Sequence, residues 1–368
     1  MLDEGITRFL SFEFVLYLVS KFYGILVNFR RAFYQKGIIK PKKLPCLVIS
    51  IGNLTVGGTG KTPLTIYIGK LIRQLGFKAT VISRGYKGAA EKEGGIVSDG
   101  RALMMEPKRA GDEPFMMAAT LAEIPVVVGR KRYDAGVMAV REFQPDVVVL
   151  DDAFQHIGLA RDLDLVLLDS LRPFGNGQLF PRGPLREPVS GLLRGDAFVL
   201  SRCDSNDSAT FEQIKKMVAP RPVFKSIHIP KISRVIGKKS KVLQPTNDYG
   251  FESLRTRRVF GFSGIAKNDD FKTMLVELGL EVRGFRGFSD HHYYSEEELA
   301  VILELSRQAH CDTLVTTEKD FVRISDRTKW PVDLVVIGIE TSFGNDSGEF
   351  DQFIKNRLAA LIEKRVSK

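Results

Sequence analysis

Residues 47–62 read LVISIGNLTVGGTGKT: an unbroken apolar run, a loop holding three glycines, and a Lys-Thr pair that opens a helical pattern. The run Leu47–Ile51 predicts a strand buried on both faces. Small residues in the loop let the backbone wrap so that its N–H groups converge on an anion at the helix start. In such a loop Lys61 reaches the β- and γ-phosphates of a nucleotide, and the Thr62 hydroxyl faces Mg²⁺. The general pattern has Gly where Thr55 stands, so Thr55, Val56, Gly57, Gly58, Thr59, Gly60, Lys61 and Thr62 form a variant of it. The plain alternative is a glycine-rich turn with no ligand. The strand before it, the helix after it and the extra glycines favour a nucleotide.

Working outward, further short apolar runs stand at 79–83, 126–128, 147–150, 163–168 and 197–201, with helical patterns at 63–75 and 130–143. Continuous Val/Leu/Ile strands alternating with helices predict an α/β fold, a mostly parallel sheet with helices on both faces. A polar, strand-poor stretch runs from Cys203 to about Thr256. A second set follows, with strands at 259–262, 282–285, 313–316 and 334–339 and helices at 270–278 and 296–308; 350–364 reads as a closing helix. The expected organisation is an N-terminal helix over 1–40, a phosphate-loop domain over 41–222, a linker over 223–257, a smaller α/β domain over 258–345 and a C-terminal helix over 346–368.

The chain of 368 residues is 44% hydrophobic and 27% charged, which excludes a disordered or fibrous protein. Its three cysteines lie far apart with no C-x-x-C, which excludes a disulfide scaffold and a zinc–cysteine site. Of the +10 net charge, half sits in residues 1–45, which hold eight Lys/Arg and three Asp/Glu. No nucleic-acid-coating surface is expected from that distribution.

Between Phe9 and Phe29, Glu13, Tyr17, Ser20, Lys21, Gly24 and Asn28 recur at helical spacing, Arg31 continues the stripe, and nearly every other residue is apolar. With the basic flank Arg30, Arg31, Lys36, Lys40, Lys42 and Lys43, this predicts a helix lying in a membrane interface. A span would put Glu13 and Lys21 in hydrocarbon at about 3 kcal/mol each. Packing on the next domain is the plain alternative. The acidic start MLDEG argues against a signal peptide.

The strand 147–150 runs into Asp151-Asp152. Two carboxylates at the end of a buried strand suit the Mg²⁺-holding strand of a P-loop enzyme. Asp164 and Asp169 bracket another strand and rank below them. A guanine reader would show Asn/Thr-Lys-x-Asp; Thr316–Asp320 reads TTEKD, with Asp directly after Lys, so ATP is expected.

In chain order the sequence also carries SRGYKG (83–88), GDEP (111–114), DDAFQH (151–156), GPLREP (183–188), FSGIA (262–266), SDHHYY (289–294) and TTEKD (316–320). Together with the phosphate loop these resemble the tetraacyldisaccharide 4′-kinases, the lipid A 4′-kinases of Gram-negative bacteria, from the N-terminal helix to about residue 325. The resemblance implies an ATP- and Mg²⁺-dependent lipid kinase on the cytoplasmic face of the inner membrane, held peripherally. Its substrate would be a tetraacylated glucosamine disaccharide 1-phosphate. No nucleic acid and no obligate protein partner are implied. The family shares the departure at Thr55; Ala153 stands where Gly is expected.

The motif residues also have readings of their own. Asp112, after Gly111, reads by position as a helix N-cap. The resemblance makes it instead the catalytic base, partnered by His291 across a cleft, with Lys61 stabilising the transferring phosphoryl. His156 lies within reach of a phosphate or metal-bound water, though a lone His is more often structural. The Pro-rich loop 180–186 is too rigid for a helix. It can place Glu187 on Mg²⁺, beside Thr62, Asp151 and Asp152, and Arg182 or Arg186 on a phosphate; the alternative is a surface turn with an ion pair. Arg84 is a further candidate. His228 and His310 read as structural. Two other classes stand beside the lipid kinase: an ATPase or nucleotide-dependent ligase acting on a soluble substrate, and a membrane-bound scaffold with a vestigial loop.

Overall fold

The structure, a computed structural model, describes residues 12–203, 208–237, 241–243, 250–324 and 330–366. It opens with α1 (Phe12–Gln35); residues 9–11 of the expected helix lie outside the described part. Next come β1 (Leu47–Asn53), α2 (Lys61–Gln74), β2 (Ala79–Ser83), β3 (Gly95–Ser98), α3 (Pro107–Ala110), α4 (Asp112–Thr120), β4 (Val126–Val128), α5 (Arg132–Phe143), β5 (Val147–Leu150), β6 (Leu163–Asp169) and β7 (Ala197–Ser201). Then follow α6 (Ser208–Val218), β8 (Val223–Lys225), β9 (Ile227–Gly237), β10 (Lys241–Leu243), α7 (Phe251–Arg255) and β11 (Arg258–Ser263). The rest is α8 (Asn268–Glu277), β12 (Glu281–Gly287), α9 (Glu296–Gln308), β13 (Thr313–Thr317), α10 (Glu318–Phe321), β14 (Asp333–Ser342) and α11 (Ser347–Val366).

The first sheet has the order β3-β4-β2-β5-β1-β6-β7-β8 and is parallel except at β3, which pairs antiparallel with β4. Alternate residues of β1 and β5 feed opposite faces. Leu47, Ile49, Val147 and Val149 pack under Leu64, Ile68 and Ile72 of α2. Val48, Val148 and Leu150 pack under Ala135 and Ala139 of α5. Both faces are therefore apolar, which is why these strands read as unbroken runs. The chain leaves β1 toward β2 on one side and returns through β6 on the other. The carboxyl end of β1 is thus the switch point where ligands of such sheets collect.

The second sheet has the order β10-β9-β14-β13-β11-β12; its pairs among β11 to β14 are parallel, and β9 runs antiparallel to both β14 and β10. Its faces are covered by α9, through Leu299 and Ile302, and by α8, through Phe271 and Leu275. The stretch expected to be strand-poor differs from that expectation. It holds β8, an edge strand of the first sheet, and the eleven-residue β9. β9 escaped notice because it is only half buried over most of its length and carries Pro230, Lys231 and Arg234 among its apolar residues. The last helix, α11, returns to the first sheet and buries Phe350, Ile354 and Leu358 among the residues beneath β1.

No described helix is long and apolar enough to cross a membrane. In α1 part of the polar stripe, Tyr17, Ser20, Gly24 and Arg31, faces the protein, while Glu13, Lys21 and Asn28 are exposed. Ser20 is buried and donates to Leu179 O at 2.9 Å, Arg31 donates to Ser190, and the Arg182 guanidinium lies over the Tyr17 ring. Val15, Leu18, Phe22, Ile25, Leu26 and Phe29 point outward, each about half exposed.

Candidate active site

The phosphate loop joins β1 to α2. Gly60 caps α2 with φ 88°, in the left-handed region that a side chain resists, and a Cβ there would come within 2.3 Å of His228 Nε2. The loop is laced internally: Asn53 Nδ2 donates to Thr59 Oγ1 at 2.9 Å, and Ser201 Oγ to Thr59 O at 2.8 Å. The segment 184–186 straps it from outside. Val56 N donates to Pro184 O and Arg186 N to Leu54 O, both at 2.7 Å. Lys61 Nζ lies 3.3 Å from Asn53 Oδ1, 3.4 Å from Gly57 O and 3.7 Å from Asp152 Oδ1. Burial pushes its ammonium down, against the pull of Asp152. Thr62 is buried one position further on.

At the end of neighbouring β5, Asp151 is buried and accepts hydrogen bonds from Thr65 Oγ1 at 3.1 Å and Ser83 Oγ at 3.0 Å. Burial, then Glu113 and Asp152, raise its carboxyl to about 6. Asp152 turns at φ 46° and takes the Arg186 guanidinium on both oxygens, at 2.7 and 2.9 Å. Burial opposes its charge, yet Lys61 and Arg186 hold it below the usual carboxylate range. Arg132, buried beneath, donates to Asp151 O at 3.2 Å; burial brings it down to about 10. His156, on the same loop, is pushed down to about 4 by burial and Arg132, so it is neutral at pH 7.

Glu187 is placed otherwise than expected. It is buried, and both of its oxygens are taken up by protein donors, Arg194 at 2.7 and 2.9 Å and Gln155 Nε2 at 2.9 Å. Gln155 also donates to Asn53 O at 2.8 Å, so Glu187 braces the loop rather than presenting free oxygens. Among the described residues no three His, Cys, Asp or Glu side chains gather as a metal-holding group. Arg182 is turned to α1, and the further candidate Arg84 pairs with Glu91 at 2.7 Å, so of the two arginines expected on a phosphate Arg186 is the one beside Lys61 and Asp152.

The second sheet meets this edge at α4. Gly111, with φ 90°, caps the helix, and Asp112 is its first residue and makes no capping bond. Its side chain turns across the seam instead. Oδ2 lies 2.9 Å from His291 Nδ1 and 2.8 Å from Arg323 Nε, and Tyr293 donates to Oδ1 at 3.3 Å. Burial works against its charge, but His291 and Arg323 hold the carboxyl below its ordinary range. Arg323 is itself fully enclosed, bonded to Gly264 O and Asp320. Glu113, one residue on, pairs with Lys319 of α10 and lies within electrostatic reach of Lys61 and Asp152. The structure therefore brings Asp112 to His291, and Lys61 to Asp152, with Glu113, next to Asp112, within electrostatic reach of Lys61.

Sequence reasoning passed over Arg323, Tyr293, Glu113, Lys319, Gln155, Arg132 and Arg194. Glu113, Gln155, Tyr293 and Lys319 stood inside the quoted motifs and were not assigned. Arg323 follows Asp320 at i+3, a spacing that could have marked an ion pair. Nothing in the sequence marks Arg132 or Arg194.

The tetraacyldisaccharide-1-P 4′-kinase family matches over residues 12–359. The tetraacyldisaccharide 4′-kinase of Desulfatibacillum aliphaticivorans is 39% identical over 94% of this chain and 92% of its own. That of an Anaeromyxobacter species is 40% identical over 90% and 87%. The crystal structure of LpxK from Aquifex aeolicus in complex with ATP superposes with a TM-score of 0.73 at 31% identity, covering 95% of this chain and all of that one.

Proposed function

The chain belongs to the tetraacyldisaccharide-1-phosphate 4′-kinase family and is an ATP-dependent kinase of lipid A biosynthesis; within that activity we propose how its residues divide the work. The reaction moves the γ-phosphoryl of ATP to the 4′-hydroxyl of a tetraacylated disaccharide 1-phosphate. A bond forms from the hydroxyl oxygen to Pγ, the Pγ–O bond to the β-phosphate breaks, and ADP leaves.

The observation that carries the assignment is the Asp112–His291 pair, which spans the seam beside Glu113, itself within electrostatic reach of Lys61. Asp112 takes the hydroxyl proton. Its carboxyl lies below the ordinary range, so it is ionised throughout the working range, and Arg323 and His291 fix the direction in which its oxygens point. A weak base is adequate here, because phosphoryl transfer is mostly positioning and charge stabilisation. Backbone N–H groups of residues 57–60 hold the triphosphate, and Lys61 balances charge at the transferring group. Glu113 and Lys319 hold the two sheets together beside it.

The cluster of Glu113, Asp151 and Asp152 concentrates negative charge, enough to raise Asp151. The Thr62 hydroxyl and the carboxylates of Asp151 and Asp152 are hard oxygens that fit Mg²⁺, which takes one or two carboxylates and keeps phosphate and water as its other ligands. Thr62, Asp151 and Asp152 would hold it; bound there, Mg²⁺ neutralises phosphate charge. Glu187, bonded as it is, serves by bracing Gln155.

The outward face of α1 and the exposed Lys36, Lys40, Lys42 and Lys43 support docking on an anionic lipid surface, which for this substrate is the cytoplasmic face of the inner membrane. The two sheets with their helices, joined through β9 and β14, serve as the phosphate-loop and acceptor-side units.

The test is direct. With γ-labelled ATP and the disaccharide 1-phosphate, label should pass into a more anionic lipid, and Asp112→Ala should abolish the transfer while leaving ATP binding intact. Label released only as inorganic phosphate would favour an ATPase.

A further inference from the structure

Helix α1 makes a set of hydrogen bonds that an anchor has no need of. Tyr23 Oη donates to the backbone carbonyl of Arg186 at 2.6 Å, and Arg30 donates to the backbone carbonyl of Gln155 at 3.2 Å. Each of these two residues sends its own side chain into the nucleotide edge. Arg186 grips both oxygens of Asp152, and Gln155 bridges Asn53 O and Glu187. Between them Ser20 holds Leu179 O, and Gly24 gives Leu179 room, since a Cβ there would lie 2.7 Å from Leu179 Cδ1. The Tyr23 ring stands edge-on to Phe180 at 6.3 Å. The strap 179–187 is thus clamped between α1 on one side and the phosphate loop on the other, where Pro184 O and Arg186 N bond Val56 and Leu54.

We propose that Tyr23 is a positioning residue for phosphoryl transfer, and that α1 couples its seating on lipid to the order of the nucleotide edge through the Arg186 carbonyl. The proposal deepens the assignment of Arg186 and Asp152 to that edge and rests on it. The physical ground is that one helix face is committed to lipid while the opposite face holds the strap. A helix that tilts or frays when its apolar face is in water releases two backbone carbonyls at once. A shift of the Arg186 guanidinium by a fraction of an ångström is enough to spoil a positioned site.

Tyr23→Phe removes one hydroxyl and keeps the ring, so the fold and the outward face are preserved. The full chain would be assayed with γ-labelled ATP and tetraacyldisaccharide 1-phosphate in mixed micelles, beside flotation on phosphatidylethanolamine–phosphatidylglycerol vesicles. The expected result is kcat lower by about tenfold. The lipid KM should stay within about twofold and flotation should be unchanged, because no substrate contact or lipid-facing side chain is altered. In an Arg186→Ala background, Tyr23→Phe should have no further effect, as the two act in series. Arg30→Ala gives a second route to the same loss of kcat. Unchanged kcat in Tyr23→Phe, a loss confined to lipid KM or flotation, or losses additive with Arg186→Ala would each overturn the proposal. If Arg186→Ala itself retained full kcat, the assignment of Arg186 to the site would fall instead.

Discussion

Around β1 the charged side chains find their partners within the first sheet: Lys61 turns back to Asn53 and Gly57 of its own loop and lies 3.7 Å from Asp152 at the end of β5. Around β13 the partners come from afar. His291 and Arg323 lie 32 residues apart, and both reach Asp112, which lies 179 and 211 residues from them. The first arrangement is made once the first sheet and its loops form. The second exists only when both sheets have folded and closed on each other. Nucleotide binding is therefore local to one sheet, whereas acceptance of the phosphoryl group depends on the seam. The largest kinetic effects should separate along the same line.

Lys61→Ala should lower kcat roughly 10⁴-fold by removing charge stabilisation at the transferring group. A loss of less than about tenfold in single-turnover transfer would move the chemistry away from the loop. Across the seam, Asp112→Ala should cost roughly 10³-fold in kcat with ATP affinity unchanged. His291→Ala should cost somewhat less, and the double variant should be hardly worse than Asp112→Ala alone. Additive losses would mean two separate roles, and the contrast between a local site and a seam-built one would fail.

The seam can also be probed through stability. Phe350 is fully buried, stacked on Phe343 at 3.8 Å, and belongs to the first core although it follows β14. Phe350→Ala should cost about 3 kcal/mol in urea unfolding. If only the second sheet loosened by hydrogen exchange, α11 would not belong energetically to the first.

The smallest effect concerns pH. Burial and Arg202 hold the His228 imidazole down, from 6.5 to about 4. As pH falls through 6.5 the unfolded chain takes a proton that the folded chain refuses until about 4, so stability is lost across that window. His228→Gln should remove this, worth about 1 kcal/mol between about pH 6 and pH 5. Asp151 tilts the opposite way, its raised carboxyl costing stability as pH rises from 3.8 toward about 6, and it is common to both proteins. An unaltered slope in the variant would show that water reaches His228 beside Gly60.

How far the sequence could be read follows the same division. The strands under α2 and α5 were legible because burial on both faces leaves unbroken apolar runs, and the phosphate loop because its residues act within one turn of each other. β9 was not, since a half-buried antiparallel strand with Pro230 and two basic residues looks like a connector. The orientation of α1 was also hidden. Its amphipathic pattern marks two faces but does not say which one meets protein, and Ser20, Tyr23 and Arg31 were spent on hydrogen bonds to 179–190. Position alone made Asp112 a helix cap; only the family resemblance tied it to His291. Arg323, which completes that pair, lay beyond both kinds of reading because its role comes entirely from a contact made after folding.

The return of α11 has a consequence for how the molecule is made. Phe350, Ile354 and Leu358 seal the face on which Leu47 and Ile49 lie, and they are made only after the strands of both sheets. Domains generally fold as units in the order of their synthesis. Here the first-made unit waits. The sheet built on β11 to β14 is complete by Ser342, before the earlier sheet receives its final helix. The nascent chain thus carries an unsealed nucleotide half and a finished acceptor half until α11 has been made.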